Sequence, residues 1–187
     1  AAWNEAGNLF LAAAGNAGSD TDVFPRYPSA YDVPNIISVA ATNHVDGLAG
    51  FSNYGATTVD LGAPGVDVYS TVPTGGCSLC LGTGYRYLSG TSMASPHVAG
   101  AAALLCGTDP SQTGSAVKAA LLNLVDPVGA LAGKSVSGGR LNLSNYFDDD
   151  SVVPSAVDTL GVVGSTHNTL TVHWTAVGDD GLIGQAS

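Results

Sequence analysis

The residues best suited to chemistry lie in Gly90-Thr91-Ser92-Met93-Ala94-Ser95-Pro96-His97-Val98-Ala99-Gly100. Ser92 opens an apolar helical stretch and follows a glycine whose missing side chain lets another backbone come close. A helix N-terminus offers N–H groups without intrahelical partners and the positive end of the peptide dipoles, which suits an oxygen gaining negative charge. Pro96 lacks an N–H, so the carbonyl of Ser92 loses its usual helical partner. Together these features predict a hydroxyl nucleophile beside ready-made donors, the setting that acyl transfer needs. A plain N-cap serine would look the same taken alone.

The elements that must position Ser92 follow from hydrophobic patterning. Leu9–Ala14, Ile36–Thr42 and Thr58–Leu61 are short apolar runs bounded by turn residues, the last leading into Gly62-Ala63-Pro64-Gly65. Such runs do not alternate, as expected of parallel strands covered on both faces. Ser92–Cys106 is apolar almost all round, which predicts a helix inside the core with Cys106 as a buried small hydrophobe. Ser115–Val125 places Val117, Leu121, Leu124 and Val125 at helical spacing and leaves Lys118 for solvent. This is an α/β pattern.

Composition narrows the function. Hydrophobic residues make up 45% and charged residues 11%, so the chain has material for a packed core. A formal charge of -10 repels phosphate backbones, so nucleic acid is not an expected partner. No apolar run is long enough to span a bilayer. Gly15-Asn16-Ala17-Gly18 follows a strand but lacks the GxGxxG spacing and acidic ribose partner of a dinucleotide site. Cys77 and Cys80 form a lone CxxC in a Gly-rich loop. It has neither the second ligand pair of a zinc site nor the strand-to-helix setting of a redox motif, leaving a local disulfide or two bystander thiols.

Several of these motifs, taken in order, resemble the subtilisin-like serine peptidases, or subtilases. Gly90–Gly100 is similar to that family's nucleophile motif, and Ala13-Ala14-Gly15-Asn16 to its oxyanion-hole segment. Tyr27-Pro28-Ser29 resembles the wall of its primary specificity pocket. Asn35–Thr42, Phe51-Ser52-Asn53-Tyr54-Gly55 and Ala63-Pro64-Gly65 fall in the same order. The resemblance implies a parallel-sheet subtilisin-like fold over residues 1–147, present in part, and serine endopeptidase activity on polypeptides. It implies that Ser92 attacks the scissile carbonyl while the Asn16 amide and the Ser92 N–H hold the oxyanion. Asn suits that place because it donates an N–H without adding charge. Ala13, Ala14 and Gly15 would pair with the substrate backbone. Tyr27, Pro28, Ser29, Gly90 and Thr91 would complete the substrate site, with Met93 lying against the nucleophile. Leu88 and Ser89 would border the leaving-group side of the cleft, next to the Gly-rich segment Thr74–Tyr87.

The family's triad runs Asp, His, Ser in chain order, and neither of the first two segments is recognisable here. His44 lies in a polar turn, His97 matches a structural histidine of the family, and His167 and His173 stand far downstream. The missing half is expected upstream of Ala1, as part of a longer, secreted polypeptide. The alternative is an inactive peptidase-like scaffold in a secreted binding or adhesion protein. No cofactor is needed for the chemistry. A structural calcium is compatible with the family, with Asp60 and the carbonyls of Ser29 and Tyr31 as candidate ligands; no metal site is assigned.

An acidic run, Asp148-Asp149-Asp150, marks a linker over 148–153. Beyond it, Val157, Leu160 and Val162 supply one apolar strand. Leu170, Val172 and Trp174 then alternate with Thr171, His173 and Thr175, as in an antiparallel strand with one wet face. Residues 154–187 resemble the opening of a fibronectin type III domain, a truncated all-β sandwich with Trp174 as its core tryptophan.

Overall fold

The structure, a computed structural model, describes residues 8–147, 161–166 and 170–173. It falls into two compact units, Ala1–Leu143 and Ser144–Ser187.

In the first unit a five-stranded sheet forms from β1 (Phe10–Ala13), β2 (Ile36–Thr42), β3 (Leu61–Pro64), β6 (Val125–Pro127) and β7 (Gly139–Leu141), in the order β1-β2-β3-β7-β6. The first three strands and β7 pair in parallel, and β6 runs antiparallel to β7. β2 is buried along its whole length, which is why its sequence is continuously apolar. A separate antiparallel ribbon pairs β4 (Val68–Thr71) with β5 (Tyr85–Leu88).

Two helices follow the ribbon, α1 (Thr91–Thr108) and α2 (Gly114–Asn123). α1 packs across β1, β2 and β3 through Ala94, Val98, Ala101, Ala102 and Leu105. Its other face is exposed and includes Ala99, Ala103, Leu104 and Cys106. The expectation of a helix buried all round, with Cys106 in the core, is therefore corrected. An apolar face is covered only where something packs on it, and no described residue covers this one.

α2 starts where the Thr113 side chain accepts the Ala116 N–H, and it ends at Asn123, so Val125 belongs to β6 and not to the helix. Lys118 is not left to solvent. Its ammonium pairs with Asp60 at 2.8 Å and donates to the Ile36 carbonyl, tying α2 to the sheet.

The third strand also begins later than its apolar run suggests. Thr57 and Thr58 give their backbone N–H and hydroxyl groups to the Asp22 carboxylate, which holds them in a turn. Burial raises the pKa of Asp22, but these hydrogen bonds outweigh it and hold the carboxyl below its ordinary value.

In the second unit, α3 (Ser144–Phe147) is followed by β8 (Gly161–Ser165) and β9 (Leu170–His173), paired antiparallel with an irregularity between Val162 and Gly164. Antiparallel pairing agrees with the period-two pattern. The linker 148–153, together with Val157, Leu160, Trp174 and Thr175, lies outside the described residues.

Candidate active site

Asn16 and Ser92 come from the ends of different elements and meet. β1 runs into Gly15, whose φ of 106° is a left-handed conformation, and a Cβ there would lie 2.4 Å from Asn53 Nδ2. Asn53 anchors the turn that follows. Its Nδ2 donates to the Ala14 carbonyl at 2.8 Å, and its Oδ1 accepts the N–H groups of Ala17 and Ser19 and the Ser19 hydroxyl. Asn53 is 1% exposed, and its bond to the Ala14 carbonyl is buried.

On the other side, the Gly90 N–H donates to the Gly65 carbonyl at 2.8 Å. A Cβ at Gly65 would lie 2.9 Å from the Gly90 carbonyl oxygen, so glycine is what permits this approach.

Thr91 joins the two halves. Its N–H and its hydroxyl both donate to Asn16 Oδ1 at 2.9 Å, and the hydroxyl accepts the Gly15 N–H at 3.1 Å. A backbone N–H can only donate, so the oxygen of the Asn16 amide faces Thr91 and its Nδ2 is turned away. Gly90, not Ser92, is the N-cap of α1. Among the N–H groups of the first turn, Thr91's goes to Asn16, and those of Met93 and Ala94 reach the Gly90 carbonyl. The Ser92 N–H and Asn16 Nδ2 have no acceptor among the described residues. Both border one space: a Cβ built on Gly90 would lie 3.5 Å from Asn16 Nδ2, 3.7 Å from Ser92 N and 3.7 Å from Met93 Sδ. Ser92 and Asn16 are exposed, while Gly90 and Thr91 are buried.

The same geometry gives three residues of the predicted substrate site partners within the protein. Ala14 gives its N–H to Val39, and its carbonyl is taken by Asn53. Gly15 gives its N–H to Thr91, and its carbonyl accepts from the Asn53 N–H. Thr91 holds the Asn16 amide through its N–H and hydroxyl, which makes it a positioning residue.

Tyr27, Pro28 and Ser29 form a turn with a cis Tyr27–Pro28 bond. Its described contacts are local, Ser29 Oγ to the Arg26 carbonyl and Tyr27 against the Tyr31 ring. Asp60 is not poised for a cation, because its carboxylate is claimed by Lys118 and by the Ser38 N–H. Among the described residues no cluster of three His, Cys, Asp or Glu side chains is placed to hold a metal.

His44 sits in an exposed turn after β2. The Nδ1 of His97 meets the Met93 carbonyl at 2.9 Å, one turn along its own helix. Cys77 and Cys80 are joined in a disulfide, which resolves the open alternatives for that pair. Asn53, which the sequence reading placed in a motif without a role, is the residue that holds the turn carrying Asn16. An Asn between Ser52 and Tyr54 does not show which carbonyl it will reach.

Comparison with known proteins decides the family. A profile described as the Subtilase family matches residues 1–151. The chain belongs to the subtilase family. Among its curated relatives, a thermophilic serine proteinase from Bacillus sp. (strain AK1) is 43% identical over 144 residues, 77% of this chain and 31% of the relative. Thermitase from Thermoactinomyces vulgaris is 43% identical over 141 residues, 75% of this chain and 44% of the relative. This subtilase chain thus spans less than half the length of either. A solved structure of a cold-adapted subtilisin-like serine proteinase superposes with a TM-score of 0.59 at 32% identity, covering 72% of this chain and 44% of that one. A lanthipeptide protease structure, at 24% identity and a TM-score of 0.62, shares the fold. The mixed α/β architecture with a mainly parallel sheet is the subtilisin-like fold, present in part.

Proposed function

We propose that this chain carries the nucleophile and oxyanion site of a secreted serine endopeptidase. The carrying observation is the convergence of Asn16 Nδ2 and the Ser92 nitrogen on one space, with the Asn16 amide oriented by Thr91. In the reaction, Ser92 Oγ adds to the scissile carbonyl carbon and its proton passes to a general base. The two donors then stabilise the oxygen that becomes negative. Collapse of the tetrahedral species expels the amine and leaves an acyl-enzyme, which water hydrolyses.

The base and its carboxylate partner are supplied by a segment outside these 187 residues. Two facts support this: the chain matches only 44% of thermitase, and an apolar face of α1 is exposed. The 187-residue piece alone is then expected to be inactive and poorly soluble. Its C-terminal strands would open a fibronectin type III-like module. No cofactor takes part in the chemistry, and the structural calcium compatible with the family is assigned no ligands here. The acidic charge gives nucleic acid no foothold, and among the described residues no helix is long and apolar enough to cross a membrane.

The test is labelling of the full-length protein with a serine-directed peptidyl phosphonate. Labelling at Ser92, lost with turnover in Ser92→Ala, is the expected result. A full-length protein that neither labels nor hydrolyses would instead be an inactive scaffold.

A further inference from the structure

The β4–β5 ribbon divides its side chains between two faces. Tyr69, Tyr85 and Tyr87 stack on one another on one face, with ring centroids 4.7–5.6 Å apart. Ser70 pairs with Arg86 and Val68 with Leu88 on the other, by the alternation of an antiparallel pair. That second face forms a wall of a 360 Å³ cavity whose opposite wall is the first turns of α1, including Ser92, Met93 and His97.

Arg86 is half-buried and lines this cavity, and no acidic residue does so. The chain has only five Lys and Arg residues. Lys118 and Arg140 are paired with carboxylates, and Lys134 lies over the Tyr54 ring. Arg26 and Arg86 have no carboxylate partner among the described residues, and of the two only Arg86 lines the cavity. Its described hydrogen bond is a long one, 3.4 Å from Nη1 to the carbonyl of Ser78, inside the loop closed by the Cys77–Cys80 disulfide. A guanidinium at the wall of a half-enclosed cavity with no acidic lining residue is chemically suited to pair with a carboxylate, against the long-range repulsion of the protein's acidic surface.

We infer that Arg86 is a specificity-determining residue that reads a carboxylate on the leaving-group segment of the polypeptide substrate. The inference rests on the proposed peptidase function, because it needs Ser92 to be the point from which the segment departs. A carboxylate reaches this cavity either as an Asp or Glu side chain or as the peptide's own C-terminus. The shared chemistry is what Arg86 recognises.

The experiment uses the full-length protein and quenched-fluorescence peptides that share one acyl side. The first two leaving-group residues carry Asp or its isostere Asn, each with a free or an amidated C-terminus. The expected result is about a tenfold higher kcat/KM for the carboxylate-bearing peptides, falling as salt is raised. In Arg86→Gln that ratio drops to about one, and in Arg86→Glu a Lys-bearing peptide is preferred. Taking ratios within each variant removes any general loss of active protein, and phosphonate labelling reports that Ser92 is folded into a competent site. Preference confined to the free C-terminus assigns the terminal carboxylate as ligand; preference surviving amidation assigns the side chain. Equal cleavage of all peptides by a protein that labels at Ser92 overturns the Arg86 inference alone. A preference that persists in both Arg86 variants also overturns it. Absence of both labelling and cleavage overturns the peptidase reading and this inference with it.

Discussion

The Asn16–Thr91–Ser92 junction and the β4–β5 ribbon flank the same serine but are built in opposite ways. The junction joins chain positions 75 residues apart, and the oxygen of its amide takes two donors from Thr91. The ribbon is held by local means, cross-strand tyrosines and a disulfide between residues three apart. In the junction, moving one group displaces several others, so the direction of Asn16 Nδ2 is fixed by part-buried bonds that share Thr91. In the ribbon, side chains facing the cavity can change while the strands remain paired. Groups that do the chemistry belong in the first kind of structure, and groups that select substrates can sit in the second.

That contrast is open to attack by substitution in the full-length protein. Asn16→Ala should lower kcat by about 10²–10³-fold with little change in KM, the loss known for the corresponding donor in the relative subtilisin. A change below threefold in steady-state kinetics would remove Asn16 from the oxyanion site. Asn53→Ala leaves the Ala14 carbonyl and the N–H groups of Ala17 and Ser19 without their partner. It should lower the stability by about 2–3 kcal/mol in urea unfolding. An unchanged midpoint would show that the turn carrying Asn16 does not depend on it. Thr91→Val removes the hydroxyl but keeps the N–H to Asn16, so kcat should fall about tenfold and recover in Thr91→Ser. Replacing Cys77 and Cys80 together by serine should have the smallest effect, less than about twofold in kcat on an uncharged peptide. A larger loss would mean that the ribbon helps to hold the junction after all.

Part of this was legible in the sequence. The run at Ile36–Thr42 announces a parallel strand because burial on both faces leaves no polar alternation; Phe10–Ala13 pairs in parallel as its apolar run suggests, but only Ala12 of it is buried. Gly90 and Pro96 mark a helix start that breaks local rules. What escaped reading depends on partners distant in the chain. The salt bridge of Lys118 with Asp60 overturns the solvent-facing lysine expected from helical spacing and occupies the carboxylate that the resemblance offered as a cation ligand. The grip of Asp22 on Thr57 and Thr58 delays the third strand. The exposure of Cys106 depends on what packs against α1, which helical periodicity does not report. That Thr91 braces the Asn16 amide shows only in its bonds to Asn16 and Gly15, 75 and 76 residues away in the chain.

The central claim, that two unpartnered donors frame one oxygen, is tested most directly by a crystal structure of the full-length protein with a peptidyl phosphonate bonded to Ser92 Oγ. The account predicts a phosphonyl oxygen about 2.7–3.1 Å from both Asn16 Nδ2 and the Ser92 nitrogen. An adduct whose oxygens all point away from Asn16, with Thr91 still bonded to its amide, would contradict it.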